Sequence, residues 1–139
     1  MTSKQVTQYR CDFCGKTGLR KGHMVRHENI CTMNPTCDCR VCHNLGQKPM
    51  PLESLMAPLA RLSQGFYGGI PDEEAFKLYH LMSGQLKGAI EQIRDLAGGC
   101  PPCMLAALRQ SKIPMGCFDW DYKEEHRKFW NEVNAERAD

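Results

Sequence analysis

The side chains able to do chemistry are concentrated in nine cysteines and five histidines among 139 residues. Cys11, Cys14, His27 and Cys31 follow one another with gaps of two, twelve and three residues. A two-residue gap lets a tight turn aim both sulfurs at one point. Residues four apart project from one face of a helix, so His27 and Cys31 can reach the same point from the other side. Three thiolates and one imidazole satisfy a tetrahedral Zn²⁺, and this spacing predicts a first zinc site. A second ligand set is available in Cys39-x₂-Cys42 and Cys100-x₂-Cys103, with Cys37 and Cys117 as single residues.

The two C-x₂-C pairs resemble the paired knuckles of zinc ribbons and related sites. The resemblance is to the ligand arrangement and not to the fold, because the roughly 57 residues between the pairs exceed ribbon spacing. A metal joining the pairs closes that long loop, which helps a small core with few aromatics. Three substitutions within this set stay open: Cys37 can replace Cys39, and His43 or Cys117 can replace a thiolate. Free buried thiols are a further alternative. Cys100-Pro101-Pro102-Cys103 also admits a redox reading, since a C-x-x-C before a helix has a lowered thiol pKa. That motif normally follows a strand in a βαβ pattern, and no such pattern is legible.

Around these residues the chain divides by composition. Residues 1–36 are polar, basic and Cys/His-bearing, with the only candidate strands in the first twenty. Residues 37–50 read as a loop ending in Gly46 and Pro49. Leu52, Leu55, Met56, Leu59 and Leu62 recur at helical spacing, and Gln64 to Pro71 breaks the pattern. Pro71-Asp72-Glu73-Glu74 starts a long helix, its acids favourable at the positive end of the dipole. Leu78, Tyr79, Met82, Leu86, Ala89, Ile90, Ile93 and Leu96 form its stripe, which stops at Gly98-Gly99. Pro101-Pro102 opens another helix to about Gln110. Asp121 to Ala135 forms a last one, with Tyr122, His126, Phe129, Trp130 and Val133 inward. The stripes are read as core and carry no cofactor. Gly65 to Gly69 lacks a Gly-Lys-Ser/Thr ending and is a turn, not a phosphate loop.

The formal charge of +2 conceals an asymmetry. Residues 1–48 hold eight Lys and Arg against three Asp and Glu, and the remainder holds ten against thirteen. The basic part also carries six of the cysteines. Such a patch permits contact with phosphates without requiring it. No apolar run reaches the ~18 residues of a membrane span, and no secretory signal is legible at Met1-Thr2-Ser3-Lys4-Gln5. An intracellular location, in the cytoplasm or with nucleic acid, is therefore expected. A reducing compartment and an odd cysteine count both disfavour a disulfide framework.

Over residues 9–31 the chain resembles the C2H2-type zinc finger family in its C2HC variant, with Cys31 in the place of the last histidine. Tyr9 matches the family's aromatic two before the first cysteine, and Met24 stands where the family keeps a leucine. The family's second aromatic falls at Gly18, and neighbouring Leu19 is expected to fill that gap. The resemblance implies a ββα finger whose helix reads bases through Arg20, His23 and Arg26. Arg20 and Arg26 suit guanine O6 and N7, His23 a central guanine, and Lys21 a phosphate. No second finger and no Thr-Gly-Glu-Lys-Pro linker follows. A lone finger buries only about 600–1,000 Å² on DNA, so specific binding needs a second surface, a dimer or another protein. The compact chain is also similar to small bacteriophage-encoded finger proteins.

The fold expected from these readings is mainly α: a ββα finger over residues 1–36 and a helical domain over residues 37–139 stapled by a second zinc. The expected role is a non-enzymatic binding protein holding two Zn²⁺ ions and contacting DNA through the finger helix. The alternative is an adaptor or assembly component with purely structural zincs and a protein partner. A thiol redox protein ranks third. Neither ligand set leaves an open metal position, and no small-molecule substrate is evident.

Overall fold

The computed structural model describes residues 1–63 and 72–138, with side-chain placement for all of these except 61, 63, 72–76 and 78–82. The chain is mainly helical. Two short strands, β1 (Tyr9–Arg10) and β2 (Thr17–Gly18), pair antiparallel with Tyr9 opposite Gly18 and Arg10 opposite Thr17. Helix α1 (Lys21–Ile30) follows directly, giving the expected ββα order. Then come α2 (Arg40–Asn44), α3 (Leu52–Ser63), α4 (Asp72–Ala97), α5 (Pro101–Gln110), a 3-10 turn at Met115–Cys117, and α6 (Tyr122–Ala138). No helix among the described residues is long and apolar enough to cross a membrane.

Helix α5 is the axis of the helical body. Pro101, Cys103, Met104, Ala106, Ala107 and Leu108 are all buried, so nearly its whole circumference is covered. Small alanines at two of these positions let neighbouring helices approach closely. Leu55 and Leu59 of α3, with Leu86, Ala89, Ile90 and Ile93 of α4, complete one continuous core. Helix α6 closes it more loosely. Tyr122, His126, Phe129, Trp130 and Val133, expected inward, are only half-buried, and none belongs to the core cluster. Arg94 of α4 holds α6 by an ion pair with Glu125 at 2.8 Å, and Phe129 packs 3.7 Å from where a Cβ on Gly99 would sit.

Three expectations need correction here. The stretch 37–50 is not wholly a loop, because Cys39 starts α2: it is the N-cap, and its sulfur accepts from the Cys42 amide at 3.5 Å. Leu96 is 40% exposed and leaves the core stripe in the last turn of α4, where Ala97 packs against the core instead. The last helix runs to Ala138 rather than Ala135. The expected break over Gln64 to Pro71, its glycine turn, and the inward placement of Leu78, Tyr79 and Met82 lie outside the described residues.

Candidate metal centres

The first centre is assembled from a turn and a helix end. After β1 the chain folds back at once: the Gly15 amide donates to the Cys11 carbonyl at 3.0 Å and the Cys11 amide to the Lys16 carbonyl at 2.8 Å. Gly15 sits at φ +77°, where a side chain is strained. That turn presents the Cys11 and Cys14 sulfurs together. From the other side His27 projects from the last turn of α1, and Cys31 is its C-cap. The four donor atoms lie within 4.8 Å of one another, with Cys11 Sγ to Cys31 Sγ 3.9 Å and Cys14 Sγ to His27 Nε2 3.2 Å. Glu28 braces the assembly, its Oε1 accepting from the Asp12 amide at 3.1 Å.

Beneath this centre lies a small core of Cys11, Met24 and Cys31, with Tyr9, Cys14 and Met33 packed against it. Leu19 does not fill the gap left by Gly18; it is 63% exposed. Met24 does so instead, its Cε lying 3.5 Å from where a Gly18 Cβ would be. A flexible, unbranched thioether reaches that hole, while the Leu19 side chain goes to solvent.

The second centre joins two helix N-termini. Cys39 caps α2 and Cys42 lies in its first turn; Cys100 caps α5 and Cys103 lies in its first turn. All four are buried. Sulfur separations are 3.3 Å for Cys39 to Cys100, 3.5 Å for Cys42 to Cys100 and 3.7 Å for Cys42 to Cys103. Gly98 and Gly99, at φ +62° and +79°, turn the chain between α4 and α5 and so deliver Cys100 to the cap position. Both helix dipoles then point their positive ends at the sulfurs. Cys37, His43 and Cys117 stand outside this group of donors.

Both sets fit zinc on their donor chemistry. With Zn–S near 2.3 Å and tetrahedral angles, a sulfur–sulfur edge is about 3.8 Å, which the observed separations bracket. No pair approaches the ~2.05 Å of a disulfide, and all nine cysteines are free thiols. Electrostatics point the same way. The Cys39 thiol is lowered to about 2, first because the Cys100 and Cys103 side chains hydrogen-bond its charged form. Cys103 is pushed up, first through its hydrogen bond to Cys100 and then that to Cys39. At the first centre Cys31 rises to about 11, led by burial. Sulfurs this close cannot all be anionic unaided, and a divalent cation removes the conflict.

The remaining site residues predicted from the sequence lie apart from both metals. Arg20 is the N-cap of α1, and Arg20, Lys21, His23 and Arg26 are all exposed. Arg26 Nε donates to the Gly22 carbonyl at 3.3 Å. The sequence reading missed Thr32, Asn34, Arg109 and Gln110, which bind the finger to the body. Arg109 Nη1 donates to Thr32 Oγ1 at 2.7 Å, and Gln110 Nε2 donates to the Thr32 and Asn34 carbonyls at 2.7 and 2.9 Å. No local pattern signals contacts between residues more than seventy positions apart. Compared with protein-family models, curated proteins and solved structures, the chain matches none of them.

Proposed function

We propose that this chain is a non-enzymatic zinc-binding protein that contacts nucleic acid, DNA foremost, through the solvent face of α1. The observation that carries the reading is the division of labour on that helix. Met24, His27 and Cys31 are committed to the metal and its small core. Arg20, Lys21 and His23 face solvent and make no ion pair among the described residues. The unpaired Arg20 and Lys21 on a metal-fixed helix suit a polyanion, and the resemblance to the C2H2-type finger family supports Arg20, His23 and Arg26 as base-contacting and Lys21 as phosphate-contacting. Both metals are structural in this reading, since four protein ligands leave no position for a catalytic water.

The test is duplex binding at two salt concentrations. Lys21 as the assigned phosphate contact gives a salt slope near −0.9, so affinity falls about 3- to 4-fold between 50 and 200 mM salt. Arg20→Ala and Arg26→Ala should each weaken binding about 5- to 150-fold, in line with the 1–3 kcal/mol of a bidentate contact. Unchanged affinity in both variants refutes the reading. A groove of about 370 Å³ between finger and body favours the second reading, a protein-interaction adaptor: Ile30, Pro35, Met50 and Leu52 line it with apolar surface.

A further inference from the structure

The two metal centres are joined by two independent routes. One is covalent and short, from Cys31, the last ligand of the finger, to Cys39, the first of the body. The other is α5, ten residues or about 15 Å long. Its N-cap is Cys100 and its first turn carries Cys103, and its last turn carries Arg109 and Gln110, which grip Thr32 and Asn34 just beyond Cys31. The gripped segment is itself tied to α1. Asn34 Nδ2 donates to the Glu28 carbonyl at 2.7 Å, the Asn34 amide to the Cys31 carbonyl at 2.9 Å, and the Asp38 amide to the Asn29 carbonyl at 2.7 Å. Segment 32–38 and α5 therefore close a ring with one metal centre at each junction.

We propose that zinc binding at the two centres is positively coupled through this ring, so that the ion in the body sets both the affinity and the orientation of the finger. An ion at the Cys39/Cys42/Cys100/Cys103 centre fixes α5, which carries Arg109 and Gln110 to their places. The finger then folds around its own ion against a segment already ordered, and the ordering cost of that segment falls on the first binding event. By linkage the finger's ion strengthens the body's by the same factor. The coupling holds whether or not α1 meets DNA.

Zinc affinity of the full-length chain, measured by chelator competition with Co²⁺ spectra to distinguish the Cys₃His from the Cys₄ centre, tests this. Cys103→Ser should weaken zinc at the finger about tenfold, inside the range usual for coupled sites. Arg109→Ala with Gln110→Ala, which keeps every ligand, should lower finger affinity in the same direction while two ions still bind. Adding Cys103→Ser to that pair should then cost nothing further. His27→Ala should weaken the body centre by the factor that Cys103→Ser imposes on the finger. Parental finger affinity in Cys103→Ser overturns the proposal, and does so even if the body has unfolded. An equal loss with the Arg109 and Gln110 contacts intact or removed overturns it too.

Discussion

Opening the cross-link of the helical body is the perturbation with the largest expected cost. Cys100→Ser together with Cys103→Ser removes half of the ligand set and leaves Cys39 and Cys42 on α2. With the ion in place, the sulfurs join Cys42 to Cys100 and close a loop that contains α3 and α4. For a loop of roughly 57 residues, the chain-entropy expression for a cross-link gives about 4 kcal/mol at 25 °C. At about 4–8 °C of melting temperature per kcal/mol for a domain near 100 residues, the double variant should melt about 15–30 °C lower. Thermal unfolding followed by far-ultraviolet circular dichroism in zinc-containing buffer measures this directly. The parent with a strong chelator should melt close to the variant, since both lack the cross-link. A difference under about 5 °C would show that packing of α3, α4 and α5 holds the body without metal, and the cross-link argument would be wrong.

Further outcomes follow from the same geometry. In the zinc-loaded chain an alkylating reagent should modify only Cys37 and Cys117, and mass spectrometry after chelation should show all nine cysteines modified. Both thiols are raised above their ordinary value by burial, so their modification should be slow at neutral pH and accelerate as pH rises. Falling pH should release zinc and unfold the chain, because protons compete for seven sulfurs and one imidazole that must be deprotonated to bind. Leu19→Ser should change stability by less than about 0.5 kcal/mol, whereas Met24→Ala should cost about 2–5 kcal/mol in denaturant unfolding of the finger. Equal effects would restore Leu19 to the finger's core.

Much of this molecule was legible because its chemistry is local in sequence. Each C-x₂-C is a single turn, and His27 and Cys31 are one turn apart on α1, so spacing alone brings each pair to one point. Periodicity located α3 and α4, and the Pro101-Pro102 start located α5. Less legible was α2, since five residues are too few to show a period, and its start depends on the Cys39 sulfur acting as a cap. Leu19 misled because hydrophobicity does not say which side chain points inward; it goes to solvent in the bend before α1 and leaves the space to Met24. Gln110 gave no signal at all. Its partners are the Thr32 and Asn34 backbone carbonyls, which carry no side-chain signature, and the contacts exist only once α5 is in place.

The most direct measurement is the zinc content of the purified chain together with X-ray absorption at the zinc edge. Two zinc ions per chain are expected, with seven sulfurs near ~2.3 Å and one nitrogen near ~2.0 Å shared between them. One ion per chain would remove the metal from the helical body. No zinc, oxygen donors in place of sulfur, or cysteines joined as disulfides would contradict the account of both centres.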